Sequence, residues 1–172
     1  KLKEGTFWLS ETPEQPSKGW DAAYSRICSF AKFRFKESAR EFWVFNTHFD
    51  HQGSEARKNS PRLILDKIRE KNEQELPVIL MGDLNLEPGT EEEKFLSEKM
   101  EDSKDVADLV FGPAGTFNAY EFHEPVKRRI DYIFLSQGDF EVLKYAVLSD
   151  SKDLKYPSDH FPVMLVVNLQ KN

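Results

Sequence analysis

Four short stretches place ionisable or amide side chains where an apolar strand ends or should run on. FNTH (45–48) carries Asn46 and His48, and GDLN (82–85) carries Asp83 and Asn85. RIDYIF (129–134) sets Asp131 between Ile130 and Tyr132, and SDHFPV (158–163) puts Asp159 and His160 before an apolar run. A carboxylate at a buried strand position costs on the order of several kcal/mol unless charges or hydrogen bonds offset it. One such case has a bland explanation. Four of them predict a shared pole where strand ends converge, the place where open α/β architectures hold ligands.

The residue types define a chemistry. A histidine needs a carboxylate to fix its tautomer and support its charged form. Either Asp131 or Asp159 can do that for His160. Another aspartate can take a proton from water. Carboxylate and amide oxygens suit Mg²⁺ or Mn²⁺ far better than Zn²⁺. Two histidines can hydrogen-bond an anionic oxygen. Water, a hard cation and anion donors together serve phosphoester hydrolysis.

The elements that must position these residues follow from pattern and punctuation. Residues 5–10 read as a short strand, 11–25 as a loop rich in Pro and small polar residues, and 26–35 as an alternating strand. KESAR (36–40) is a hairpin turn and EFWVFNTH (41–48) the returning strand. Residues 54–72 have helical spacing interrupted by Pro61, which predicts a weak start and a firmer helix capped by Ser60, with Pro61 in its first turn. Leu63, Ile64 and Ile68 then face the core. PVILMG is a buried strand bounded by Pro77 and Gly82, and the two-residue spacing of Asp83 and Asn85 beyond it sends both side chains the same way off an extended chain. Thr90 and Glu93 form a capping-box pattern. Residues 101–128 are irregular, and strands return at 129–135, 139–148 and 161–169. With no repeat or linker, the chain reads as one domain of mixed strands and helices.

Composition bounds the function. The 172 residues suffice for one domain with a sizeable core, and 14 of them are Phe. The net charge of −6 argues against a broad surface that wraps nucleic acid, while leaving room for a site that meets one phosphate. The lone Cys28 cannot form an intrachain disulfide and leaves the compartment open, cytoplasmic or exported. No apolar run approaches membrane-spanning length, and a composition 39% hydrophobic suits a soluble globular protein. A monomer is the expectation for oligomeric state.

FNTH, GDLN, RIDYIF and SDHFPV, in this order over residues 42–167, resemble the endonuclease/exonuclease/phosphatase superfamily. That group includes deoxyribonuclease I, exonuclease III, inositol-polyphosphate 5-phosphatases, bacterial sphingomyelinases and deadenylases. GTFWLSETP with GWDAAYSR is similar to a bacterial branch of it. The resemblance implies an α/β (α+β) fold of two packed mixed β-sheets flanked by helices, the four-layer, deoxyribonuclease I-like sandwich. It implies roles as well. His48 and His160 contact the scissile phosphate, and Asp83 positions or deprotonates the attacking water. Asn85 binds a phosphate oxygen, Asp131 orients His160, and Asp159 is a metal-associated carboxylate, with Asp83 a second metal candidate. The implied substrates are a phosphorylated small molecule, a lipid head group or a nucleic acid.

The departure from the family pattern is also informative. The family carries an Asn on its first strand and a metal-binding Glu, usually in a Gln-Glu pair, further upstream. Neither is found here, since Gln74 and Glu75 lie too late. Residues 1–172 are therefore expected to be an N-terminally truncated single domain, with weak metal binding and little activity by itself. Among the remaining candidates, Arg26 reads as a solvent-facing strand-edge residue with phosphate contact as its functional alternative. Trp20 and Tyr24 read as loop packing, with a stacking wall for a base, sugar or lipid head as theirs. His51 and His123 read as surface residues.

Overall fold

Alternating aromatic residues build the first three strands. In the computed structural model, which describes residues 1–170, β1 (Lys3–Trp8), β2 (Ile27–Arg34) and β3 (Glu41–His48) form an antiparallel meander. A parallel neighbour needs a crossover, and α1 (Ser54–Lys71) provides it, returning the chain to β4 (Val78–Asp83) beside β3. After α2 (Glu91–Ser97) come two short strands, β5 (Glu101–Asp102) and β6 (Val110–Phe111). Next in the chain are β7 (Asp131–Leu135), β8 (Phe140–Val147) and β9 (Val163–Leu169). The large sheet runs β1-β2-β3-β4-β7-β5, and a second sheet runs β6-β8-β9.

Both sheets are mixed, and they pack on each other. One face of the large sheet carries Cys28, Phe30, Phe45, Leu80 and Phe134, all buried beneath Ile64 of α1 and Leu96 of α2. At the opposite face, Ile79 and Ile133 pack with Leu135 against Phe140 and Val142 of the second sheet. This is the packed pair of mixed sheets with outer helices that the family resemblance implied; among the described residues the two helices lie on the large sheet's side. Strand boundaries match within about two residues, and EFWVFNTH coincides with β3.

The helix at 54–71 corrects one expectation. Ser60 is not its cap, and Pro61 lies inside a continuous helix. The Asp21 carboxylate, from the loop before β2, supplies the missing cap across a long sequence separation. It accepts the Glu55 N–H (3.1 Å), the Ala56 N–H (2.8 Å) and the Ser54 hydroxyl (3.4 Å). The Ala56 bond above all holds the Asp21 carboxyl below its ordinary range. With its first turn fastened, the helix tolerates the N–H that Pro61 lacks. In α2 the Thr90 hydroxyl does accept the Glu93 N–H, but the Glu93 carboxylate reaches back to the Gly89 N–H instead of closing the box on Thr90.

Gly82 fixes how closely β3 and β4 approach where both strands end. Its φ is +139°, and a Cβ there would sit 1.8 Å from the Thr47 carbonyl oxygen. The backbone contact leaves no soft neighbour to yield. Gly82→Ala is expected to cost about 3 kcal/mol of stability, read as a fall in the urea midpoint without a change in slope; an unchanged midpoint refutes the packing constraint.

Candidate active site

Strand register creates the site. His48 pairs with Asp83 across the parallel β3–β4 ladder, and Asp83 pairs with Asp131 across the antiparallel β4–β7 ladder. Three adjacent strands therefore deliver His, Asp and Asp side by side in one row. His160, in the loop before β9, reaches over that row. His48 Nε2 is 3.2 Å from Asp83 Oδ2, and His160 Nε2 is 3.9 Å from the same oxygen. His160 Nδ1 lies 2.8 Å from Asp131 Oδ2. An Nδ1–H donated to that carboxylate leaves Nε2 facing Asp83 and the space before it. Asp131, not Asp159, is thus the partner of His160. Arg129, which could have competed for Asp131, is instead buried in a 2.6 Å pair with Asp102.

Asn85 arrives differently from its expected extended strand. β4 ends at Asp83, and Asn85 has a left-handed φ of +49°, a conformation Asn tolerates better than most residues. The turn is closed by Asp83 Oδ1, which accepts the Asn85 N–H at 2.9 Å. The Asn85 amide nitrogen donates to the Phe49 carbonyl at 3.0 Å and stands 3.4 Å from Asp83 Oδ2. It therefore ties the ends of β3 and β4 together around the Asp83 carboxylate.

Segment 101–128, expected to be irregular, carries the short strands β5 and β6, and its remaining loop hides two organising residues that no pattern singles out. The buried Thr116 hydroxyl accepts both the Ile130 N–H (3.1 Å) and the Asp131 N–H (3.2 Å). Its carbonyl accepts the Phe161 N–H at 2.7 Å, so one residue braces Asp131 and the neighbour of His160. Asn118 accepts the Tyr120 N–H through its side-chain oxygen and donates to the Ser158 carbonyl, while its own N–H bonds the Asp159 carbonyl. Phe117 sets its ring edge-on to His160 at 5.0 Å between centroids.

Burial and charge tune the row. Burial pushes the Asp83 carboxyl upward, and nearby Asp131 adds to it against the lowering pull of the Asn85 N–H and the two histidines. Burial lowers His48; Asp83 opposes this, while Arg26 and His160 push it further down. Asp83, Asp131 and His160 offer ligand atoms within 4.8 Å of one another, and Asp159 is not in that cluster. Two neighbouring carboxylates, one partly buried and held up in pKa, are an arrangement that a hard divalent cation relieves.

A family model described as the endonuclease/exonuclease/phosphatase family matches residues 11–160. The chain belongs to this family. A solved mannosyl-6-phosphatase from Bacteroides thetaiotaomicron is 39% identical, with a TM-score of 0.91 over 98% of this chain and 66% of that one. A second family protein from the same organism is also 39% identical, with a TM-score of 0.90 over 96% of this chain and 64% of that one. An uncharacterised protein of Acanthamoeba polyphaga mimivirus is 38% identical over 88 residues, 49% of this chain and 32% of its own. The chain thus spans about two thirds of the solved family members' length.

Beside the family's NTH stretch lies Asp50, which the sequence pattern does not single out. It is 1% exposed, and its carboxylate accepts N–H groups of Tyr24 (3.1 Å), Gln52 (2.9 Å) and Gly53 (2.8 Å). Burial pushes its pKa up, but these bonds, led by Gly53, more than offset that and hold the carboxyl well below its ordinary range. A depressed folded pKa means that the stabilisation is complete above the unfolded value of about 3.9 and is lost as pH falls through the folded value. Asp50→Asn is expected to remove about 3 kcal/mol at pH 7 and to flatten the acid limb of stability below about pH 4. Parallel pH-dependent urea curves for the two proteins would refute this.

Proposed function

We propose that this chain carries the centre of a metal-dependent phosphoester hydrolase acting on phosphorylated small molecules. A sugar phosphate is the first substrate class to test. The observation that carries the reading is the in-register row of His48, Asp83 and Asp131, closed by the Asp131–His160 hydrogen bond. The 39% identical mannosyl-6-phosphatase supports a phosphatase, and the net charge of −6 weighs against a nuclease.

Each residue then has a task. Asp83 orients the attacking water and receives its proton, a role suited to a carboxylate whose pKa burial has raised. His48, neutral through its lowered pKa, donates a hydrogen bond to a phosphoryl oxygen. His160, supported by Asp131, stabilises charge on the phosphoryl group as the ester bond breaks. Asn85 holds Asp83 in place and offers its remaining polar capacity to a phosphate oxygen. Asp83 and Asp131 are the oxygen donors best placed to hold Mg²⁺ or Mn²⁺, with Asp159 the further carboxylate that the family resemblance suggests. Such a cation, when bound, supplies Lewis-acid polarisation of the phosphoryl oxygens.

Phosphate release from mannose 6-phosphate should require Mg²⁺ or Mn²⁺ and stop on chelation. His160→Ala and Asp131→Asn should each lower kcat/KM by about 100-fold or more with melting temperatures preserved. Faster nicking of plasmid DNA than hydrolysis of the sugar phosphate would overturn the substrate class. Phosphate binding without turnover would instead identify a non-catalytic phosphate-binding module.

A further inference from the structure

A second cluster stands at the same pole, where β3 ends in His48 and β2 begins. Tyr24 is 61% exposed although it is a large aromatic, and its ring stacks on His51, with centroids 5.7 Å apart and planes 19° from parallel. The Arg26 guanidinium lies 5.7 Å from the same ring, and its Nη2 is 3.3 Å from His51 Nδ1. Because Arg26 and His51 touch each other, they cannot cover both faces of the Tyr24 ring. One aromatic face stays open beside a polar edge.

Arg26 is held but not satisfied. Its side chain is 16% exposed, and its nearest carboxylate, Asp50 at 3.5 Å, is already committed to backbone N–H groups. The buried Arg26 Nε has no hydrogen-bond partner among the described residues. The guanidinium charge is also felt at His48, which places it within electrostatic reach of the phosphate centre.

An open aromatic face beside a guanidinium and an imidazole matches a ring with an apolar C–H face and hydroxyls at its rim. We propose that Tyr24, Arg26 and His51 form a sugar-ring subsite: the open face of Tyr24 stacks on the ring, the Arg26 guanidinium hydrogen-bonds hydroxyls that project past the edge of the aromatic ring, and His51, stacked on the other face of Tyr24 with its ring nitrogens against Arg26 and the Gln52 amide, holds both in place. This rests on the sugar-phosphate reading above and assigns the specificity of that site to three residues outside the hydrolytic row.

The test is equilibrium binding of two non-hydrolysable probes in the presence of Mg²⁺: the 6-phosphonate analogue of mannose, and ethylphosphonate, which has no ring. The unsubstituted chain should bind the mannose analogue at least about 10-fold more tightly. Tyr24→Ala should cut that advantage to less than about 3-fold, and Tyr24→Phe should keep it. Arg26→Lys, which retains charge for folding, should weaken only the mannose analogue. Equal affinity for both probes, binding of neither, or a ring advantage that survives Tyr24→Ala overturns the subsite, and so does an Arg26→Lys effect equal on both. Phosphate release is scored separately. Ring preference without hydrolysis of mannose 6-phosphate defeats the hydrolase reading alone, and hydrolysis without ring preference defeats the subsite alone.

Discussion

The pairing register of β3, β4 and β7 governs the site, because a strand pair that slips by one residue turns every side chain to the other face. His48, Asp83 and Asp131 stand abreast only while Phe45, Leu80 and Phe134 are buried on the opposite side. The apolar residues thus set the polar ones. Burial at about 25 cal/mol per Å² of apolar surface drives the register, and alternation carries it to the strand ends. Gly82 contributes by letting the β4 backbone approach Thr47 where the row begins.

Beyond the sheet, the loops act as braces. Thr116 holds the start of β7 from one side and the chain beside His160 from the other. Asn85 spans from β4 back to Phe49, past the end of β3. Asp21 fastens the crossover helix, whose burial fixes β4 beside β3. Each brace uses a polar group to satisfy backbone donors or acceptors that a strand or helix end leaves open.

The row itself was legible because its residues sit at the ends of apolar strands, where alternation and burial make a polar residue conspicuous. The pairing of His160 with Asp131 was one of two options by residue type, and only the loop geometry selects it. The extended placement of Asn85 failed because Asp83 turns its own oxygen onto the Asn85 N–H, so the chain turns beyond Asp83 instead of running on extended. The broken helix at Pro61 failed for a different reason. Its cap lies at Asp21, far away in sequence, so no local pattern could reveal it. Thr116 and Asn118 were illegible because hydroxyls and amides in irregular segments are common, and their partners are backbone atoms brought in by the fold.

Asp50 and Asp83 show how one residue type acquires opposite properties within one pole. Both lose solvent, which disfavours the charged form. Around Asp50 the loop that opens α1 curls so that several backbone N–H groups converge on the carboxylate, and the charge is more than compensated. Around Asp83 the only backbone donor among the described residues is Asn85, and a second carboxylate, Asp131, stands next in the row. The first carboxylate is spent on holding the chain and is poorly suited to exchange protons or bind a cation. The second keeps unmet electrostatic demand, which a cation, a histidine or a water proton can satisfy. The difference comes from where backbone N–H groups point, so the fold separates an aspartate locked to the backbone from one whose carboxyl burial holds upward, through its loop conformations and with no change of side chain.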